Sequence, residues 1–198
     1  MSTQVTAKNP RLTEVDPLAI AEVCRALRCG GVVAYPTEGV WGLGCDPFNE
    51  RAVQSLLLLK NRDPGKGIIL IAASIEQLGP WLTRITPEQR QQLESTWPGP
   101  HTWLIDDGGY TPALIRGQHT KVALRVTDHP WVVALCEAFG GPLVSTSANV
   151  SGQPPLQTYQ AVCEAFAEAV DAVLDGPLGG LEKPTPIRDL TTGEVLRP

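Results

Sequence analysis

Three cations, Lys60, Arg62 and Lys66, stand close together in the segment KNRDPGKG. An arginine fork flanked by two mobile ammonium groups suits a polyanion such as a phosphate chain. Pro64, Gly65 and Gly67 shape the loop that carries them. The same cations equally suit the C-terminal end of a helix, where they oppose its dipole. Charge alone leaves both readings open. A second candidate is STSAN, Ser145–Asn149, whose hydroxyls, amide and backbone donors can hold a phosphate, a sugar or an adenine edge. A polar turn bonded to its own backbone has the same composition. The third is Gly30–Pro47, GGVVAYPTEGVWGLGCDP, where an apolar run meets Thr37, Glu38, Gly39, Gly42 and Gly44. Glycines at a strand exit permit a sharp turn or a close backbone approach to a ligand. Lys121, Arg125, Lys183, Arg188 and Arg197 add charge, several at predicted strand ends, where solvated surface positions are the usual explanation.

Several chemistries are excluded. The chain has no GxxxxGK[ST] phosphate loop, GLGCDP departs from a GxGxxG fingerprint, and HExxH is absent. His101, His119 and His129 lie in unrelated contexts, so spacing assigns neither a Ser-His-Asp set nor a Cys-His pair. The 5 cysteines form no CxxC pair, and no metal site is predicted. Cys24 and Cys136 fall within helical apolar patterns and read as core thiols. A net charge of −5 gives no global basic signature of a nucleic-acid binder, though it leaves room for a local basic cleft. The N-terminus lacks the apolar core of a signal peptide, and no run approaches the roughly 18 apolar residues of a membrane span. A reduced, cytoplasmic location without membrane contact is predicted.

The elements that must position these groups alternate between helix and strand. Apolar spacing predicts helices over Pro17–Arg28, after Asn49, from Thr86-Pro87, from Pro130 to Phe139 and over Tyr159–Ala169. A further short helix is predicted to be capped by Ser74 and ended by Gly79-Pro80. Strands are predicted at Val32–Tyr35, Ile68–Ala72, Thr102–Ile105, Val122–Val126, Leu143–Ser145 and Ala172–Leu174, with a hairpin joining Ile187–Leu190 to Glu194–Leu196. Asp106–Thr120 reads as a long surface loop. With 198 residues the chain fits one domain over 1–198. The fold class is α/β, with a mixed sheet.

In their order, YPTEGVWGLGCDP, KNRDPGKG, WPGPHT, VALRVTDHP, PLVSTSANVSGQP and PTPIRDLTTGEVLR resemble the YrdC family of threonylcarbamoyl-AMP synthases. The short length is similar to its bacterial single-domain branch. The resemblance implies a twisted sheet, parallel and antiparallel, with flanking helices around a large basic cavity. It implies synthesis of L-threonylcarbamoyladenylate and pyrophosphate from L-threonine, bicarbonate or CO2, and ATP, with magnesium accompanying ATP. It further implies a role in N6-threonylcarbamoyladenosine formation on tRNA, with TsaD, TsaB and TsaE completing the transfer.

Roles follow by the same resemblance. Lys60 and Arg62 match a KxR pair that binds ATP phosphates and offsets charge at the α-phosphorus, assisted by Lys66. Ser147, Asn149 and Arg197 are implied at the adenylate, and Thr37, Arg125, Ser145 and Thr185 at threonine. Thr102 is implied as a further cavity-lining residue. Gly39 replaces a commoner Thr, and Ile71 and Ala72 stand where longer relatives often carry His. A rival reading, a non-catalytic module for tRNA or double-stranded RNA, is opposed by the acidic net charge.

Overall fold

The computed structural model describes residues 12–181 and 185–198. Lys183 and Pro184 lie outside the described residues. The elements run α1 (Pro17–Arg28), β1 (Val33–Pro36), β2 (Trp41–Gly44), α2 (Glu50–Leu59), β3 (Ile69–Ala72), α3 (Pro87–Glu94), β4 (Thr102–Asp106), α4 (Ala113–Arg116), β5 (Lys121–Val126), α5 (Pro130–Phe139), β6 (Leu143–Ser147), α6 (Tyr159–Phe166), β7 (Ala172–Val173), β8 (Ile187–Asp189) and β9 (Val195–Arg197). The strands form a 9-stranded sheet in the order β7-β1-β2-β6-β3-β5-β4-β8-β9. β1–β7, β3–β5 and β4–β8 pair parallel, and the other neighbours antiparallel.

Helix boundaries follow local chemistry. Asp16, Asn49 and Thr158 each accept a hydrogen bond from a first-turn amide of α1, α2 and α6. Thr86 and Gln89 close a reciprocal capping box on α3, with Pro87 at its first turn. α5 ends on Gly140, whose φ of 94° is the left-handed conformation that favours glycine.

Alternation along the strands sets two different faces. Ala34, Leu43, Leu70, Ala72, Leu124, Val126 and Val144 point to one core, together with Val53 and Leu56 of α2 and Val162 and Phe166 of α6. Val33, Tyr35, Ile71 and Leu143 point the other way, beneath Ile20, Val23, Cys24 and Leu27 of α1 and Trp131, Val132 and Leu135 of α5. The register then carries this second face onward. Ile69 sits opposite both Ser145 and Ala123, Ile71 opposite Arg125, and Gly42 opposite Ser147. Residues on the helix-covered face thus change from apolar to polar along the same strands.

The structure departs from sequence expectation in four places. The glycine-rich exit after β1 is itself a strand, β2, because Gly42 and Gly44 leave room for the Tyr35 ring and for the β6 backbone. A Cβ on Gly44 would lie 2.2 Å from the Val144 carbonyl oxygen and 2.8 Å from the Tyr35 ring. Asp106–Thr120 is no simple surface loop, since it contains α4 and buries Asp107, Thr111 and Ile115. Ser74 does not cap its helix. The segment Glu76–Leu82 is a 3-10 helix that begins after Ile75 without a side-chain cap and holds Pro80 within it. Finally, α6 ends at Phe166.

Candidate active site

A cavity of about 600 Å³ opens where the polar half of the sheet face emerges from beneath the helices. Thr37, Trp41 and Gly42 form one wall, and Ser145, Thr146 and Ser147 of β6 lie beside them. Ile69, Ala123 and Arg125 contribute from the central strands, and Thr185, Ile187, Leu196 and Arg197 from the far edge. Arg62, Lys66, Arg116 and Lys121 add cations, and no aspartate or glutamate lines the cavity among the described residues. Of the expected residues, Thr37, Arg62, Lys66, Arg125, Ser145, Ser147, Thr185 and Arg197 therefore share one cavity. Lys60, Thr102 and Asn149 stand just behind its lining.

The two members of the basic pair have different surroundings. Helix α2 ends at Leu59 with Lys60 as its C-cap, and Asn61 takes a left-handed φ of 47°. The Lys60 side chain turns inward and is 1% exposed. Its Nζ donates to the Ser147 carbonyl, to the Asn149 carbonyl at 2.6 Å and to Asn149 Oδ1 at 3.2 Å. Burial, and then repulsion from Arg62, lower its pKa to about 8. Arg62 reaches the cavity, donating from Nη2 to the Gly67 carbonyl at 2.8 Å. Burial lowers its pKa as well, against the opposing charge of Asp63, and guanidinium stays protonated. Lys66 is exposed on the short 3-10 turn Pro64–Lys66, which Asp63 caps.

Arg125 occupies the buried floor. Its Nη1 donates to Thr185 Oγ1 at 2.9 Å, and its Nη2 lies 3.3 Å from Glu38 Oε2. The other Glu38 oxygen accepts from Thr127 Oγ1 at 2.7 Å. Thr102 Oγ1 is 3.3 Å from Thr185 Oγ1, and Arg197 grips the Thr185 carbonyl from Nε and Nη2 at 2.9 and 2.6 Å. Three predicted residues, Arg125, Thr102 and Arg197, thus converge on a fourth, Thr185. Thr37 Oγ1 donates to the Val40 carbonyl at 2.7 Å, closing the β1–β2 turn.

Three titratable lining residues carried no site assignment from sequence. Arg116 lies in the segment expected to be loop, with its Nε 3.5 Å from buried Asp107. Lys121, expected on the solvated surface, pairs with Asp189 at 2.6 Å beside the cavity. His119 lines it too. Only the pairing of β4 with β5 and β8 reveals Lys121, and no local motif marks Arg116. Glu38, noticed but given no role, proves to be the counter-charge of Arg125. His129 precedes α5 yet makes no side-chain cap, and its Nε2 lies 3.1 Å from the Pro177 carbonyl. Burial lowers its pKa, against the charge of Glu38. His101 is likewise shifted down, by burial and then by Arg188.

The cavity combines donors for an anion with hydroxyls for a small polar molecule, beside apolar side chains from Trp41, Ile69 and Ile187. Such a site can position two reactants and stabilise negative charge as it develops. Among the described residues, no group of three or more His, Cys, Asp and Glu side chains could hold a metal ion, and no helix is long and apolar enough to cross a membrane.

The Sua5/YciO/YrdC family model, described as "Telomere recombination", matches residues 25–198. A protein of Chromohalobacter salexigens named threonylcarbamoyl-AMP synthase is 55% identical over 178 residues, covering 90% of this chain and 96% of its own. One of the same name from Cellvibrio japonicus is 53% identical over 172 residues, covering 87% and 91%. The crystal structure of P. abyssi Sua5 complexed with L-threonine is similar with a TM-score of 0.84 and 31% identity, over 90% of this chain. This chain spans 53% of that longer protein. The chain belongs to the Sua5/YciO/YrdC family.

Proposed function

From that membership we propose that the protein is an L-threonylcarbamoyladenylate synthase, using L-threonine, bicarbonate or CO2, and ATP. The observation that carries this reading is a single cavity joining Arg62 and Lys66 to Ser145, Ser147, Thr185 and Arg125, in a chain 55% identical to a protein of that activity's name.

In this reading the threonine amine attacks CO2, forming an N–C bond and releasing a proton to give the carbamate. A carbamate oxygen then attacks the α-phosphorus of ATP, and the bond to the β-phosphate oxygen breaks with departure of pyrophosphate. Arg62 and Lys66 hold the phosphates and offset their charge, with Lys60 adding charge from behind the wall. Ser147, Asn149 and Arg197 are assigned to the adenylate. Thr37, Ser145, Thr185 and Arg125 are assigned to threonine, with Thr102 supporting Thr185. No general base is required of the protein, because positioning and charge supply the acceleration. Magnesium enters only as a counter-ion of ATP. No aspartate or glutamate lines the cavity among the described residues to seat it, so phosphates and waters would hold it. We assign the product to tRNA N6-threonylcarbamoyladenosine synthesis in the cytoplasm, with TsaD, TsaB and TsaE as successors, and tRNA contact confined to weak binding. One domain over residues 1–198 performs the synthesis.

Incubation with ATP, bicarbonate and threonine should yield threonylcarbamoyl-AMP by mass spectrometry and equimolar pyrophosphate. Formation unaffected by omitting threonine would reject the substrate. Arg62→Met should lower kcat/KM by about a hundredfold, as expected on losing a donor to developing charge. A near-normal rate would remove Arg62 from its role.

A further inference from the structure

We propose that Lys60 is a positioning residue, whose ammonium fastens the end of α2 to the Ser147–Asn149 loop and leaves phosphate contact to Arg62. A lysine ammonium has three N–H donors and no more. At Lys60 every one is committed, to the carbonyls of Ser147 and Asn149 and to Asn149 Oδ1. The residue is 1% exposed, whereas Arg62, two positions on, lines the cavity.

The joint is reinforced from the loop side. The Ser151 amide donates to the Lys60 carbonyl at 2.8 Å. Asn149 Oδ1, besides accepting from Lys60, accepts from Ser147 Oγ at 2.6 Å. Asn149 Nδ2 donates to the carbonyls of Val150 at 3.0 Å and Gln153 at 2.7 Å. Three oxygens therefore converge on one cation in a buried space. Without the cation the Asn149 carbonyl would lose its donor. The Ser147 carbonyl and Asn149 Oδ1, which keep the Asn149 amide at 3.0 Å and Ser147 Oγ at 2.6 Å, would face it with no charge between them, a costly arrangement that the loop would relieve by moving. Ser147, which faces the cavity, would move with it. For a phosphate to recruit Lys60 directly, at least one of these bonds must break.

What the loop binds rests on the synthase reading, but the joint does not. The test compares wild-type protein, Lys60→Met and Arg62→Met in two measurements. In calorimetric titration with inorganic pyrophosphate, Lys60→Met should bind within about threefold of wild type, while Arg62→Met should bind at least about tenfold more weakly, having lost a charge-assisted donor. The KM for ATP should rise in both. Equal loss of pyrophosphate affinity in both variants would overturn the proposal.

In hydrogen exchange, the amides of Ala148, Asn149 and Ser151 should exchange at least about tenfold faster in Lys60→Met, with β4 and β5 unchanged, as in local opening. Unaltered exchange in that loop would also overturn it. Should Lys60→Met fail to fold, Asn149→Ala at its half-buried position removes one acceptor and should give the same local pattern. Absence of that pattern counts against the joint. Failure of wild-type protein to bind pyrophosphate would sink the synthase reading, and the exchange data would still decide the role of Lys60.

Discussion

Replacing Glu38 by Gln tests the electrostatics of the cavity floor. The Glu38 and Arg125 side chains are each 6% exposed, and their nearest oxygen and nitrogen lie 3.3 Å apart. Glutamine keeps the volume and can retain the bond from Thr127, but it leaves the guanidinium with no facing carboxylate. Thr185 Oγ1 and any bound anion are then its remaining partners. Breaking a buried ion pair from one side costs about 3–5 kcal/mol, and the retained bond places Glu38→Gln near about 3 kcal/mol on that scale. For a chain of 198 residues, each kcal/mol moves the melting temperature by about 2–4 °C, so a fall of about 6–12 °C is expected.

The assay is urea and thermal unfolding of wild type, Glu38→Gln, Arg125→Met and the double variant. Each single change strands a buried charge or its partner, whereas the double change strands neither. The double variant should therefore be less destabilised than the sum of the singles, by about 1–3 kcal/mol. Additivity within about 0.5 kcal/mol would show that the two groups do not sense each other, and the account of the floor would fall.

Two further predictions concern the frame. Because burial holds the His129 pKa below its unfolded value, the unfolded chain binds more protons as pH falls through about 6.5. This contribution to stability is full above that pH and declines below it. The urea midpoint of His129→Gln should accordingly vary less between pH 7.5 and 5 (a range set by the imidazole reference value, roughly 6.5) than that of wild type, and identical slopes would contradict the assignment. Gly44→Ala should destabilise by about 3 kcal/mol, since its Cβ would meet immovable backbone. Gly79→Ala, where nothing lies within 4 Å, is the control and should change the melting temperature little.

Sequence pattern reached most elements because their signals are local. The caps at Asn49 and Thr86 and the turn around Gly193 each lie within a few residues of what they control. β2 escaped because its glycines answer to Tyr35 and to the Val144 carbonyl, partners brought together only by sheet pairing. The polar segments likewise held residues that gather at the cavity, without showing which way each faces, while Arg125, Thr185 and Arg197 were expected there only through the family resemblance. Lys60 and Arg62 are near neighbours in the chain, yet the left-handed turn at Asn61 separates them. One side chain goes under the wall and the other into the cavity. Lys121 and Arg116 carried no local signal, since their carboxylates come from Asp189 and Asp107.

The register has a consequence for how the cavity comes into being. Gly42 meets Ser147, Ile69 meets both Ala123 and Ser145, and Thr102 meets Ile187. Each of these neighbours is far along the chain from the other, so closing the site costs the entropy of long loops before the cavity is complete. No contiguous fragment carries the whole site. Recovery of pyrophosphate binding during refolding should therefore lag the return of helical signal and coincide with the last sheet pairing. Ligand affinity in this protein reports on completed topology.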